Sequence, residues 1–211
     1  MNKLNKEWKS CGKNMDKGKE WNNEHLEYYN YLKKRTKIGK LFRHHMFSKS
    51  IREFEGKVLD VGCGIGEFGH MYDDSVSMDV NEFCVEHCDK AGLVAVVGDI
   101  HKIPFKDKEF DGVFCSNVLE HIDMEVVAIR EMNRVLTLGG KLIIHVPLKK
   151  GYATDPTHKK FYGVWTLQKL LQDNGFANVK YFYMPINSIA ISGNFNFGEL
   201  VMIAIKVESW C

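Results

Sequence analysis

The sequence predicts an α/β fold in which helices cover both faces of a mostly parallel sheet. Three observations carry this expectation. From residue 57 onward, short apolar runs bounded by turn residues alternate with segments of helical period. One run, LVAVV at 93–97, is almost purely apolar, as a strand buried on both faces should be. Glycines at 62, 64, 66 and 69 follow the first run, where a strand has to turn sharply.

The elements follow in order. Residues 1–22 are polar with little periodicity and are expected to pack loosely. Residues 24–48 mix apolar and basic residues at helical spacing and read as one or two amphipathic helices broken near Gly39. KVLDV (57–61) is the first strand; a glycine turn and a helix start are expected after it. VSMDV (76–80) is the second strand, and Asn81 is placed to N-cap a helix over 82–91. LVAVV is the third strand and FDGVFC (110–115) the fourth. Asp123 is placed to cap a helix in which Met124, Val127, Met132, Val135 and Leu136 recur at three- and four-residue spacing, with Gly139-Gly140 as its stop. KLIIHV (141–146) is the fifth strand. Thr166 is placed to cap a further helix ending at Asn174-Gly175. Strands near 178–184 and 200–207 close the chain. The segment between them carries no helical signal, so the two are expected to be antiparallel neighbours.

Bulk properties narrow the class. A chain of 211 residues, 45% hydrophobic and 27% charged, suits one globular domain. No run approaches 18 apolar residues and the first residues lack an apolar signal region, so no membrane span is expected and the cytoplasm is the expected compartment. The cysteines at 11, 63, 84, 88, 115 and 211 are scattered, which favours reduced thiols. Cys84, His87 and Cys88 cluster, but no second ligand pair stands at zinc spacing, and no metal site is expected. Charge is uneven. Residues 1–57 carry 15 Lys and Arg against 7 Asp and Glu; residues 58–211 carry 14 against 20. A basic segment of this kind suits an anionic partner or simply a solvated surface.

The densest chemical signal is DVGCGIGEFG at 60–69. A glycine loop alone also fits dinucleotide binding. Acids at three successive strand ends separate the readings. Asp60 stands two residues before Gly62, where it opposes a pyrophosphate and suits an ammonium. Asp79 ends the second strand and can accept both hydroxyls of a ribose. Asp99, in Gly98-Asp99-Ile100, can accept from an adenine amine while Ile100 packs on the ring. The plain alternative is that such acids cap the following turns.

In these residues the chain resembles the class I S-adenosylmethionine-dependent methyltransferases, in particular the type-11 group. The likeness rests on LDVGCGIG (59–66), Asp79, GDI (98–100), FDGVFCSNVLEHI (110–122) and EMNRVLTLGGKLIIHVP (131–147). It implies a Rossmann-like three-layer sandwich with a seven-stranded sheet, mostly parallel, the last strand reversed. The implied cofactor is S-adenosylmethionine, with S-adenosylhomocysteine as product. Gly62, Cys63, Gly64 and Gly66 would line its methionine part and Asp60 would help hold the amino group. Asp79 with Val80 would take the ribose, Asp99 and Ile100 the adenine, and Ser116 and Asn117 would face the sulfonium side. Residues 51–211 would form this domain, with 1–50 a basic helical extension or lid.

Candidates for the chemistry lie beyond the strand ends. His121 follows the fourth strand and can accept a proton near neutral pH. Asp155 and His158 sit in a polar loop, 151–162, that is long for a connection. They suit an acid/base pair or a site for substrate hydroxyls; a turn fixed by Pro156 is the plain alternative. Glu120 and Asp123 flank His121 without establishing a metal cluster. His44, His45, Tyr28, Tyr29 and Tyr31 could cover the cofactor from the N-terminal segment. No Asn/Asp-Pro-Pro segment follows the fourth strand and no Pro-Cys pair exists, which disfavours base N-methylation and cytosine C5 methylation. The type-11 resemblance, together with the histidines at this rim, implies O-methylation of a small molecule or glycan. RNA methylation through the basic segment, testable by salt-sensitive RNA binding lost on deleting residues 1–50, stays open beside it, as does a cofactor-binding module without turnover.

Overall fold

A computed structural model of the protein describes residues 23–195 and 198–208. The expected loose segment 1–22, Cys11 and Cys211 lie outside the described residues. The strands are β1 Val58–Val61, β2 Ser75–Asp79, β3 Ala95–Val97, β4 Phe110–Ser116, β5 Leu136–Pro147, β6 Phe176–Met184 and β7 Glu199–Lys206. They form one seven-stranded sheet in the order β3-β2-β1-β4-β5-β7-β6. β1 to β5 pair in parallel, and β7 runs antiparallel between β5 and β6. The expected α/β sandwich with a reversed last strand is thus the observed one. The chain steps outward from β1 to β3, then crosses back to β4. A crevice therefore opens beyond the carboxyl ends of β1 and β4, where ligands bind in such sheets.

The helices are α1 Asn23–Lys33, α2 Lys37–Ile51, α3 Glu82–Lys90, α4 Glu125–Val135, α5 Lys149–Tyr152, α6 Val164–Gln172 and α7 Ile189–Ser192, with a 3-10 turn at Leu119–His121. Successive strand residues point to opposite faces. Accordingly Val113, Leu142, Ile144 and Met202 join Ile129 and Met132 of α4 and Leu167 and Leu171 of α6 in one core layer. Phe114, Ile143, Val201 and Ile203 meet Met46 and Phe47 of α2, with Phe54 and Phe68, in the other. α2 is part of the core, so a truncation that probes the basic segment has to stop before it.

Several boundaries differ from the sequence reading. The N-terminal helices break at residues 34–36, not at Gly39. Thr36 is the N-cap of α2, accepting from Gly39 N at 3.1 Å, which puts Gly39 inside the first turn. After the glycine loop there is no regular helix; residues 66–72 wind as turns, with His70 N bonded to Gly66 O and Tyr72 N to Phe68 O. Asn81 caps α3 as expected, its Oδ1 accepting from Phe83 N and Cys84 N. Asp123 does not cap α4; Met124 takes that place with φ 53°, and Asp123 pairs with Lys159. α4 ends at Val135, well before Gly139, because Leu136 already pairs with Phe110 in the sheet and is fully buried. The ammonium of Lys206, not a glycine, closes the helix end by donating to Asn133 O and Leu136 O. Gly163 is the N-cap of α6, and Thr166 accepts from Gly163 N from inside the first turn. A single helical turn, α7, occupies the segment between β6 and β7, where none was expected.

Candidate active site

The glycine loop is shaped by backbone geometry. Gly62, Gly64 and Gly66 take φ of 73°, 53° and 77°, a region L side chains avoid. A Cβ on Gly62 would lie 2.2 Å from Val118 Cγ2. Gly62 N and Cys63 N both donate to Met78 O, which ties the loop to β2. Asp79 completes the tie. Its Oδ2 accepts from Gly64 N at 2.8 Å and its Oδ1 from Asn81 N at 2.9 Å. The turn-capping role is real, then, and each oxygen keeps a further lone pair. Val80 beside it is exposed. Asp60 lies buried at the foot of the loop, with Oδ2 lacking any hydrogen-bond partner. Burial, then the Asp79 charge, pushes its carboxyl well above the usual range, against the pull of Arg43.

Asp99 is largely exposed, and its Oδ1 accepts from both His101 N and His101 Nδ1. Ile100 is buried in the core cluster. Ser116 ends β4. Asn117 follows with φ 54°, and its amide donates to Ser116 Oγ and to Glu199 Oε1. Glu199 in turn meets His145 Nδ1 at 2.7 Å, and His145 Nε2 meets Ser50 Oγ at 2.7 Å. This buried polar seam links β4, β5, β7 and α2. Burial would raise the Glu199 carboxyl, but His145, Arg43 and Asn117 hold it below its ordinary value.

α1 lies over the loop. Asn81 Nδ2 donates to His25 O, Tyr29 packs on Phe83, and Leu32 Cδ1 stands where a Cβ on Gly64 would come within 3.2 Å. Tyr28 is half-exposed, yet shielding of its hydroxyl and the Asp79 charge push the phenol up to about 12. His44, His45 and Tyr31 are exposed and do not cover the loop. Two arginines missed in the sequence do more. Arg35 and Arg43 share the carboxylate of Glu67, at 2.5 and 2.8 Å. They line a cleft of about 450 Å³ with Phe42, Met46 and Glu199.

The structure brings His121, His158 and Asp155 together. The imidazole rings of His121 and His158 are 4.6 Å apart, and Asp155 Oδ2 is 4.0 Å from His158 Nε2. The loop is pinned to the strand end because Lys159 N and Lys160 N both donate to Glu120 O. Burial, then His158, pushes the His121 imidazole down, which favours its neutral form.

Comparison with known proteins agrees with this architecture. A family model described as a methyltransferase domain matches residues 59–144. Over those residues the chain is similar to the methyltransferase domain family. The chain is 29% identical over 169 residues to an uncharacterized protein of Methanocaldococcus jannaschii, covering 73% of this chain and 82% of that one. It is 34% identical over 94 residues to a human protein named as a tRNA methyltransferase, of which it spans only 21%, with 42% of this chain covered. The crystal structure of a methyltransferase from Archaeoglobus fulgidus superimposes with a TM-score of 0.69 at 23% identity, covering 88% of this chain and all of the other. That structure is named as dependent on S-adenosylmethionine, and the residues of this chain fit that group. Three left-handed glycines leave the loop open to close approach, and the unpartnered Oδ2 of Asp60 suits an ammonium. Among the described residues no helix is long and apolar enough to cross a membrane.

Proposed function

We propose that this methyltransferase acts on a hydroxyl group of a small molecule or glycan. The observation that carries the reading is the pairing of His121 with His158 beyond the ends of β4 and β5. Thr157 Oγ1 donates to Asp155 Oδ1 at 2.6 Å, so at its 3.0 Å contact with His121 Nδ1 the imidazole is the donor. His158 Nδ1 lies 2.8 Å from Tyr152 O, which can only accept. In the neutral ring of each histidine it is then Nε2 that carries the lone pair, the state a proton acceptor needs. S-adenosylmethionine supplies an activated methyl group, so the protein's task is alignment of the acceptor and removal of its proton.

The cofactor-side roles follow the loop. Asp60 takes the amino group, with Gly62, Cys63, Gly64 and Gly66 along the methionine part. Asp79 and Val80 serve the ribose, Asp99 and Ile100 the adenine, while Ser116 and Asn117 border the reacting end. Of the proposed N-terminal lid, α1 covers the loop, with Leu32 and Tyr28 on its inner surface and Arg35 just after it, while α2 belongs to the core of the domain. The cleft beneath Arg35 and Arg43 has the volume of a small-molecule site.

The test pairs binding with transfer. Titration with S-adenosylhomocysteine, with NAD as control, should show micromolar binding of the former alone. Labelled methyl transfer to a panel of sugars and phenols should then be cut by about 100-fold or more in His121→Asn and His158→Asn, with cofactor affinity kept. Turnover unchanged in both variants would defeat the assignment. The 15 Lys and Arg in residues 1–57 favour RNA as the second reading. Methyl transfer to RNA that fails at high salt and on removal of residues 1–22 would replace the hydroxyl reading.

A further inference from the structure

We propose that Glu120, His121 and His158 form a binding site for one divalent transition-metal ion. Each offers one ligand atom, and these atoms lie within 4.8 Å of one another. Ions of this class hold their ligands at roughly 2.0–2.2 Å, so three donors around one centre stand about 3–4 Å apart. His158 Nε2 and Glu120 Oε1 already stand 3.9 Å apart, and small side-chain rotations close the rest.

Glu120 is the observation that points to a ligand. Its side chain is fully buried, and neither Oε1 nor Oε2 has a hydrogen-bond partner. A buried carboxylate without donors is costly, and native structures satisfy such groups with a partner or a bound ion. His158 Nε2, 3.9 Å from Glu120 Oε1, offers a lone pair in the neutral ring. Each histidine spends its Nδ1–H on a fixed acceptor, His121 on Thr157 Oγ1 and His158 on Tyr152 O. That is the outer-shell arrangement that orients ligating histidines. Tyr152 stacks on the His158 ring at 5.2 Å and fixes its plane.

The donor set selects the ion. Two imidazoles and one carboxylate suit Zn²⁺, Co²⁺, Mn²⁺ or Fe²⁺ better than Mg²⁺ or Ca²⁺, which want oxygen. Three protein ligands leave open positions, as in catalytic rather than structural sites. With the ion bound, the two imidazoles spend their Nε2 lone pairs on it and no longer accept the proton; an acceptor oxygen in an open position would become more acidic, its proton leaving to Asp155 or to solvent. That use rests on the hydroxyl-methylation reading; the binding of the ion does not. By contrast, Cys84, His87 and Cys88 make no such group among the described residues: both thiols are buried and His87 Nδ1 meets Tyr29 OH.

The experiment is titration of untagged, chelator-treated full chain with Co²⁺, followed by Zn²⁺ competition, with and without S-adenosylhomocysteine. One equivalent of Co²⁺ should bind with a visible d–d band and no thiolate-to-cobalt charge-transfer band. Glu120→Gln and His158→Asn should each weaken binding by about tenfold or more, with melting temperature and S-adenosylhomocysteine affinity kept as evidence of an intact fold. No saturable uptake at millimolar Co²⁺, a thiolate band, or equal uptake in both variants overturns the proposal. Histidine-dependent methyl transfer by a protein that takes up no ion would leave the hydroxyl reading standing and sink the metal site alone.

Discussion

Asp79 is asked to do two things, and substitution can separate them. Its carboxylate holds Gly64 N–H and Asn81 N–H, and by proposal it also holds a ribose. Asp79→Ala leaves both donors without an acceptor in a buried place. At about 1–3 kcal/mol for each orphaned group, less the relief of removing a carboxyl whose charge burial disfavours, the loss comes to about 2–4 kcal/mol. For a domain of this size that lowers Tm by about 5–15 °C. Asp79→Asn keeps one acceptor oxygen and turns an NH2 toward the other donor, so about half the loss is expected. Hydrogen bonds from two hydroxyls to a charged acceptor are worth about 1.5–3 kcal/mol each, or at least about 100-fold in affinity for S-adenosylhomocysteine. Thermal unfolding reads the first role and calorimetric titration the second. Because a collapsed loop also weakens binding, the decisive comparison uses a 2′-deoxyribose analogue. It should bind wild type far more weakly than S-adenosylhomocysteine does, and lose little more in Asp79→Asn. Equal losses in both proteins would refute the ribose role. An unchanged melting temperature in Asp79→Ala would refute the hydrogen-bond reasoning.

Other outcomes follow from the same geometry. Arg134 donates to Glu131, Asp107, Phe105 O and Ile103 O, clamping the loop after β3 to α4. Arg134→Met should cost about 3 kcal/mol in urea unfolding, and a loss under about 0.5 kcal/mol would contradict the clamp. Its pH dependence has a definite sign. The Arg134 hydrogen bond holds the Glu131 carboxyl below its usual value, so the stabilisation is complete above about pH 4.3 and fades as pH falls through the lower folded value. The buried Asp60 carboxyl is pushed up, and an ammonium beside it pulls the value back down. S-adenosylhomocysteine binding should therefore release protons where Asp60 is still protonated in the free protein, giving a calorimetric enthalpy that varies with buffer ionisation; buffer independence across the pH range would argue against that contact. Gly62→Ala combines a left-handed backbone with a clash against Val118 and should abolish measurable cofactor binding, whereas Gly92→Ala, with open space around it, should leave binding intact despite its strained φ.

What could be read from the sequence was local. The strand–glycine–acid pattern at Asp60, Asp79 and Asp99 and the alternation of strands with helices depend on neighbours within a few residues, and both survive in the structure. Helix ends were misread where a distant partner decided them. Gly139-Gly140 looked like a stop, but Leu136 had a strand to join and Lys206 supplied the cap. Arg35, Arg43 and Glu199 were invisible because the chain brings them to the crevice from remote positions. His145 had a signal that went unused: a histidine inside the apolar strand KLIIHV needs partners, and it finds Glu199 and Ser50. Glu120 and His158 meet only because the loop at 159–160 folds back onto the Glu120 carbonyl.

The placing of β7 between β5 and β6 bears on how the protein is made. Every other described element leaves the ribosome before the strand that belongs in the interior of the sheet. Until it arrives, β5 presents a bare edge of apolar residues, a hazard for pairing with other chains. Glu199, the first residue of that strand, also completes the seam with Asn117 and His145. The nascent chain therefore closes its sheet and completes that polar seam in the same late step, after every residue of the glycine loop has already been made.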